Sequence, residues 1–315
     1  MQINFRLLPV LTLAVFTTFT ACKKDSKPDG ESTNELATHA DDQNRVSTQI
    51  DAVANDASLA IESSVAYSGG RLNNPPPASI CDAAVSFDST SNPRKITITY
   101  DGTTSCNASY SRTGTIVISM ASGIKWKDQG ATINVTYQNL KVKRTSDNKS
   151  ITINGSHSIT NASGGLLYML PFGSPTQSVT HTIGGSLTIT FDDNSQRSWE
   201  VATRRVFKYE NNGFVLTVTG NNSIGNTEGI AEWGTNRFGH EFTTAITQPL
   251  VIRQDCLFRL TSGQVTHEGF GTATATFGLD ANGNPASCPA GSGHYYYKLV
   301  WAAPNGGSAS IILPY

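Results

Sequence analysis

Apolar and polar residues alternate one by one between residues 95 and 161, and this pattern predicts four consecutive β-strands. Ile96, Ile98 and Tyr100 share one face of the first strand, with Thr97 and Thr99 on the other. Three further sets of apolar residues repeat the pattern: Ile116, Ile118 and Met120; Ile133, Val135 and Tyr137; Ile151, Ile153 and Ile159. Strands with one buried and one hydrated face show this period of two. Each of the four strands is therefore expected to bury one face.

The alternation changes phase once, in the third of these strands. After Tyr137 the next apolar residues are Leu140 and Val142, one position out of step. An extra residue in one strand of a pair restores the burial of both halves. The sequence therefore predicts a β-bulge near Gln138 and Asn139.

The rest of the β-region, residues 79–315, continues the same way. Further strands are predicted at Ser178–Ile183, Ser186–Phe191, Trp199–Tyr209, Phe214–Thr219, Glu241–Thr247, Leu250–Leu260, Gly271–Phe277, Tyr295–Trp301 and Ser310–Leu313. Asn211-Asn-Gly213 and Asn282-Gly283 are typical of tight hairpin turns. Residues 162–177, rich in Gly and Pro, are a candidate internal boundary or sheet-crossing loop. The predicted fold is all-β, a large antiparallel β-sandwich or a barrel-like meander.

Two pairs of segments indicate internal repeats. Gly114–Met120 resembles Gly185–Phe191, and Ile151–Asn161 resembles Leu216–Asn226. A real duplication and a chance likeness between Thr- and Gly-rich strands both remain open.

One helix is predicted before the β-region, from Glu35 to Tyr67. Its apolar residues recur three or four apart: Val46, Ile50, Val53, Ala57, Ile61 and Val65. Such spacing places them on one side of a helix. Gly69 and Gly70 end the pattern, and Asn73–Pro77 forms a stiff linker. Because the apolar side is narrow, the helix is expected to pack on the β-region. Residues 35–78 are thus helix and linker.

The N-terminus carries a targeting signal. Arg6 precedes an apolar run from Leu7 to Phe19, which is too short for an ordinary transmembrane helix. The run ends in Phe19-Thr20-Ala21-Cys22, which resembles the lipobox of bacterial lipoproteins. The resemblance implies removal of residues 1–21, acylation of Cys22 and anchoring in the outer membrane, at the cell surface or the periplasmic face. Residues 22–34 are charged and are predicted to be a flexible tether. An ordinary secretory signal is the alternative.

Four cysteines remain after Cys22, and they fit an exported protein. The simplest of the three possible pairings joins Cys81 to Cys106 and Cys256 to Cys288. Each would close a loop of about 30 residues, worth roughly 3.5 kcal/mol on the chain-entropy estimate.

The overall charge says little about partners. The 23 basic and 24 acidic residues give a net charge of −1. No basic stripe of the kind that nucleic acid requires is present in the sequence.

Residues with catalytic or metal-binding chemistry are scattered along the chain. His157, His181 and His240 fall in the apolar phase of predicted strands, where core packing is favoured over metal binding. Glu228, Glu232 and Glu241 include a possible glycosidase pair. Asp280–Asn284 begins like a calcium loop, but Pro285 replaces the required glycine, so a hairpin turn is predicted. No catalytic residue, metal ligand or cofactor site is assigned.

Aromatic residues are the remaining candidates for ligand contact. Adjacent strand residues point to opposite faces, so Tyr296 should face away from Tyr295 and Tyr297. Trp233 and Tyr296 are the candidate ligand-binding residues, for a glycan or a protein partner, with aromatic core packing as the alternative.

The cysteine pattern as a whole carries a second resemblance. A Cys, a strand and a second Cys precede Arg112-Thr-Gly-Thr-Ile116, and Cys256 is followed by Ser262-Gly263 and Cys288. This pattern is similar to that of uncharacterised all-β exported lipoproteins of Gram-negative bacteria. It implies a lipid-anchored envelope protein with a non-catalytic binding or structural role. The alternatives are a glycan-binding accessory protein of a polysaccharide uptake system and a hydrolase with an unrecognised site.

Overall fold

The protein is all-β, with a long helix at the N-terminal side of the sheet. The computed structural model describes residues 30–70, 80–104, 108–174, 176–269, 271–289, 293–302 and 307–315. The signal segment, Cys22 and Cys106 lie outside the described residues. Helices α1 (Gly30–Glu62) and α2 (Val65–Ser68) precede the strands.

Within the described residues, fifteen strands form a single sheet. They are β1 (Ala83–Asp88), β2 (Arg94–Asp101), β3 (Tyr110–Met120), β4 (Ala131–Arg144), β5 (Ser150–Asn161), β6 (Ser178–Phe191), β7 (Gln196–Glu210), β8 (Gly213–Gly220), β9 (Asn222–Ile224), β10 (Thr227–Thr235), β11 (Glu241–Arg253), β12 (Arg259–Gly269), β13 (Gly271–Leu279), β14 (Tyr296–Ala302) and β15 (Ser308–Pro314).

The sheet is an antiparallel meander with one irregularity. Strands β1 to β7 are neighbours in chain order, and β10 to β15 continue the series. Strand β8 lies between β7 and β11, beside β10, and β9 pairs with β10. All strands belong to the same hydrogen-bonded sheet, so the meander describes the fold and the two-sheet sandwich does not.

The predicted strand phases and the predicted bulge are confirmed. Ile98 lies opposite Ile116, and both side chains are fully buried. The pairing of β4 with β5 shifts between Tyr137 and Leu140, both of which are buried. Asn139 adopts a positive φ of 52° at the shift. The extra residue thus keeps both halves of β4 facing the core.

Three predicted boundaries are wrong. Ser178–Ile183 and Ser186–Phe191 form one continuous strand, because Gly185 lets β5 approach closely: a Cβ there would lie 2.4 Å from the Cα of His157. The predicted strand Leu250–Leu260 is broken by a turn in which Leu257 and Phe258 have positive φ. Residues 162–177 contain a 3₁₀-helix, Leu167–Phe172, but β5 and β6 pair directly, so this segment neither divides the sheet nor crosses it.

The similar segments fall on corresponding strands. Gly114–Met120 lies in β3 and Gly185–Phe191 in β6, while Ile151–Asn161 lies in β5 and Leu216–Asn226 spans β8 and β9. In both pairs the second segment begins three strands after the first: β6 comes three strands after β3, and β8 three strands after β5. Internal duplication stays a prediction.

Helix α1 supplies one side of the main hydrophobic core. Val46, Val53, Ala57 and Ile61 are fully buried and pack against the inward side chains of β2 to β7 and Phe242 of β11. The helix therefore packs on the sheet as predicted, although it begins at Gly30 and ends at Glu62. The Ser63 hydroxyl donates to the Ala60 carbonyl at 2.7 Å, a side-chain bond that competes with helix continuation. Gly69 ends α2 in the left-handed conformation.

The sheet bends around the helix. The consecutive residues Asp41 and Asp42 bind Arg144 at the end of β4 and Arg237 in the loop after β10. Those two strands are four positions apart in the sheet (β4 to β5, β6, β7 and β10), which is about 19 Å at the usual strand spacing. Ion pairs from adjacent helix residues to strands this far apart indicate that the sheet curves toward the helix. The helix is consequently enclosed on several sides.

Candidate functional site

Polar side chains of helix α1 form a series of contacts with the sheet, which we call the polar seam. Its helix members are Asp41, Asp42, Gln43, Ser47, Asp51 and Asp56, and its sheet members are Arg144, Arg237, Arg197, Glu232, Arg205 and Arg112. Four aspartates meet four arginines, so the helix position is specified by charge as well as by apolar packing.

One enclosed part of the seam is centred on Arg112 of β3, which is buried. Its Nη1 lies 2.8 Å from Oδ2 of Asp56, and its Nη2 lies 2.6 Å from Oδ1 of Asp82. The Tyr100 hydroxyl donates to Asp56 at 2.7 Å, and the guanidinium stands 4.2 Å from the Tyr100 ring centre. Burial raises the pKa of Asp56, while Arg112 opposes that change. Two carboxylates thus share one buried cation.

A second part of the seam surrounds Gln43. Its side-chain amide donates to Glu232 and its carbonyl oxygen accepts from Arg197. The Ser47 hydroxyl donates to Glu232 at 3.0 Å. Burial raises the pKa of the Glu232 carboxyl and lowers that of the Arg197 guanidinium to about 10. Arg197 also lies over the ring of Phe242 at 4.4 Å. The Glu232 carboxylate therefore accepts hydrogen bonds from two side chains of the helix.

A histidine pair joins the helix to β12. Nε2 of His39 lies 3.0 Å from Nε2 of His267, and Nδ1 of His267 lies 2.9 Å from the Thr244 hydroxyl. Burial lowers the pKa of His39 to about 3 and that of His267 to about 4. Sequence reasoning missed this pair because 228 residues separate its members and no spacing rule links them.

A small cavity lies under the middle of the helix. Its volume is about 20 Å³, and His157, Thr203, Arg205, Asp51 and Glu232 line it together with apolar residues. Both ring nitrogens of His157 and the Thr203 hydroxyl have no protein hydrogen-bond partner. A polar space of this size accommodates about one water molecule. It is too small for a sugar ring or a comparable substrate.

A much larger cleft opens near the N-terminal part of helix α1, with a volume of about 540 Å³. The cleft is lined by Thr38, Asp41, Asp42, Arg45, Arg144, Lys149, Phe191, Asp192, Asp193 and Arg237. These residues come from the helix, the β4–β5 turn, the β6–β7 turn and the β10–β11 loop. Small-molecule sites in proteins have volumes of roughly 300 to 1,000 Å³, so the cleft is of ligand-binding size.

The predicted ligand-binding aromatics do not meet. Trp233 on β10 and Tyr296 on β14 are both partly exposed, with β11, β12 and β13 between them. Four strand positions separate them by about 19 Å along the sheet. Tyr295 and Tyr297 are buried, so Tyr296 faces away from them as predicted.

The carboxylates considered for glycosidic chemistry are also apart. Glu232 contacts the helix, while Glu228 and Glu241 are exposed. Glu241 starts β11 and Glu228 lies near the start of β10, beside β9. The structure therefore does not bring the three together.

The three predicted histidines occupy different places. His157 and His181 are buried, beside Tyr137 and between Trp126 and Phe207 respectively. The prediction of an inward position is wrong for His240, which is exposed in the β10–β11 loop and lies 3.7 Å from Glu35. The Asn236 side chain closes that loop by accepting two backbone N–H bonds, so the chain turns before β11 begins.

One group of side chains has the spacing of metal ligands, but two of its members form a disulfide. Within the described ranges, the only such group is Asp255, Cys256 and Cys288. Cys256 and Cys288 form the predicted disulfide, with Cα atoms 5.4 Å apart, so their thiolates are not free to bind metal. Cys81 is disulfide-bonded, while its predicted partner Cys106 is outside the described residues.

Comparison with known proteins yields no relative. No protein family, curated protein or solved structure matches the chain. Of the helices in the described part of the chain, none combines the length and apolar character needed to span a membrane.

Proposed function

We propose that the protein is a lipid-anchored envelope lipoprotein of the outer membrane with a non-catalytic binding or structural role. The carrying observation is the position of Cys22 at the end of a signal-like segment, in a sequence that resembles a lipobox. Two or three acyl chains give stable membrane attachment where a single chain gives only reversible binding.

The tether sets how far the domain stands from the lipid. Seven residues, 23–29, lie between Cys22 and Gly30, the first residue of helix α1. The chain from the Cα of Cys22 to that of Gly30 spans at most about 29 Å when it is fully extended. Because the helix is built into the core, the lipid would hold the whole sheet close to the membrane surface.

The way that polar groups are used favours a binding or structural role over catalysis. Asp42, Asp56 and Glu232 each contact partners across the helix–sheet boundary. Groups fixed by such contacts stabilise one arrangement of helix and sheet. The hydrolase alternative has no comparable support, since Glu232 faces a cavity of only about 20 Å³.

The glycan-binding alternative has support from the cleft. Its polar, charged lining and volume of about 540 Å³ suit a hydroxyl-rich ligand. The binding role is therefore assigned to the cleft in preference to the separated residues Trp233 and Tyr296.

Detergent phase partition of the full-length protein made in a Gram-negative host tests the anchoring. We expect the wild type to enter the detergent phase and its N-terminal peptide to begin at acylated Cys22. Cys22→Ser should remain in the aqueous phase, whereas Cys288→Ser, which removes a different cysteine, should still partition with detergent. Aqueous partition of the wild type with residues 1–21 still attached would contradict the proposal.

A further inference from the structure

The charged groups of the cleft are unevenly paired. Arg144 binds Asp41 and Asp147, with Nη1–Oδ1 and Nη2–Oδ2 distances of 2.5 Å. Arg237 binds Asp42 at 2.6 Å and lies 3.4 Å from Asp193. These two guanidinium groups already have carboxylate partners, so they form the fixed walls of the cleft.

Arg45 is the exception. Among the described residues it has no ion pair and no hydrogen-bond acceptor; its Nη2 is closed off from solvent, so the cleft is open to its Nη1 and Nε. Asp41 and Asp42 lie one helical turn before it but are bound to Arg144 and Arg237. A guanidinium donates most strongly to a planar carboxylate in a paired geometry. The nearby aspartates Asp41, Asp42 and Asp147 act on its charge but do not contact it, so Arg45 is a cation of the cleft without a direct carboxylate partner.

Further charges of both signs line the cleft. Lys149 in the β4–β5 turn is exposed and, among the described residues, is the second cation of the cleft without an ion pair. Asp192 and Asp193 in the β6–β7 turn are also exposed, and each accepts hydrogen bonds from a neighbouring serine, Ser150 and Ser195 respectively. Each carboxylate oxygen has two acceptor positions, so both aspartates retain acceptors for ligand hydroxyls.

The formal charge of the lining limits the ligand. Four basic residues, Arg45, Arg144, Lys149 and Arg237, face four aspartates, so the lining is neutral overall. A ligand with several negative charges would meet the aspartates, and a neutral one would leave Arg45 unsatisfied. One carboxylate combined with several hydroxyl groups matches both the cations and the acceptors.

We propose that the cleft binds a sugar acid, as a free monosaccharide or as a residue of an acidic glycan, with its carboxylate on Arg45 and its hydroxyls toward Asp192 and Asp193. The inference rests on the proposed binding role and names the ligand class for it. Lys149 adds a second cation at the open side, where a longer glycan would continue.

Calorimetric titration of the intact detergent-solubilised protein tests the site. The probes are glucuronate and galacturonate, each with its short oligomers; glucose and an acidic peptide are the comparison ligands. We expect saturable binding of at least one uronate series and no saturation with glucose. Arg45→Met should weaken that binding at least tenfold, because a charge-assisted bond is lost. Arg204→Met changes an exposed arginine on β7 outside the cleft and should bind as the wild type does.

A second variant is needed in case Arg45→Met fails to fold. Lys149→Met alters only an exposed turn and should weaken the binding of uronate oligomers several-fold while the circular dichroism spectrum is unchanged. The assignment would be overturned if neither uronate series saturates, if glucose binds with equal affinity, or if the acidic peptide binds more strongly. It would also be overturned if Arg45→Met, Lys149→Met and Arg204→Met bind with equal affinity. Detergent partition of the same protein is independent of these results, so failure of the cleft and failure of lipid anchoring are distinguished.

Discussion

Arg112 of strand β3 and Asp56 of helix α1 are joined by a 2.8 Å ion pair although 56 residues separate them. Asp82, immediately before β1, completes the contact with two further bonds from the same guanidinium, at 2.6 and 2.7 Å. This single cation therefore connects the helix to the first strands of the sheet. A buried pair of this kind is costly to break from one side, because the remaining charges lose their compensation.

Removing the shared cation is expected to destabilise the fold strongly. In Arg112→Met the nearly inaccessible Asp56 and Asp82 are left without a counter-ion, and the free energy of unfolding should fall by about 3 to 5 kcal/mol. Urea denaturation at pH 7 measures this change. Arg253→Met is the control, because the side chains of Arg253 and Asp255 are 26% and 35% exposed and their pair is worth about 1 kcal/mol or less. Equal losses in the two variants would contradict the role of the seam.

The buried histidine His157 should make stability depend on pH. Burial lowers its pKa from 6.5 to about 3, so its contribution is fully present above pH 6.5 and is lost progressively as the pH falls toward 3. At pH 5 the loss is about 2 kcal/mol, from 1.36 kcal/mol per pH unit. His157→Phe removes the titrating group. As the pH falls from 7.5 to 5, its free energy of unfolding should therefore rise relative to that of the wild type by that amount. A constant difference in urea midpoint across this range would exclude the effect.

Glu62 should act in the opposite direction. Burial raises its pKa to about 7 from 4.5, although backbone N–H bonds from Leu167 and Tyr168 favour the charged form. Its contribution to stability is present below pH 4.5 and is lost as the pH rises through 7. Glu62→Gln keeps an acceptor but does not ionise. Relative to wild type it should gain up to about 3 kcal/mol between pH 4.5 and 8, measured by chemical denaturation. A falling or unchanged difference would show that the carboxyl is not desolvated.

The disulfide between Cys256 and Cys288 should stabilise the C-terminal part of the sheet. It closes a loop across a sequence separation of 32, which corresponds to about 3 to 4 kcal/mol on the chain-entropy estimate. Cys288→Ser is expected to lower the free energy of unfolding by that order without reducing strand content at 20 °C. Peptide mapping under non-reducing conditions checks the linkage itself. A linkage of Cys256 to Cys81 would contradict it.

Local sequence pattern was enough to predict much of the sheet. The alternation through Ile96, Ile98 and Tyr100 predicted which side chains are buried, and the one phase slip predicted the bulge at Asn139. Asn211 and Asn212 do have the positive φ angles of a tight turn between β7 and β8. These features depend on neighbouring residues, and so they are visible in one sequence.

The helix–sheet contacts were not predictable in the same way. Asp42 and Arg237 are 195 residues apart, and Gln43 and Arg197 are 154 apart. Nothing in the local pattern distinguishes these arginines from solvent-exposed ones, because their role comes from the curvature of the sheet around the helix. The cleft was not predictable for the same reason, because it is assembled from the helix and three separate turns. Glu232 was singled out by sequence, but only the structure shows Ser47 and Gln43 on its carboxyl.

The position of helix α1 inside the sheet is the central claim, because the cleft and the short lipid tether both depend on it. Hydrogen exchange of the intact native protein tests it most directly, since amides exchange either by local opening or by global unfolding. We predict that the amides of Val46 to Ile61 exchange with the same free energy as those of Ile133 and Val135 in β4, the global unfolding value. Exchange of the helix amides at a free energy several kcal/mol below that of the β4 amides would contradict the account.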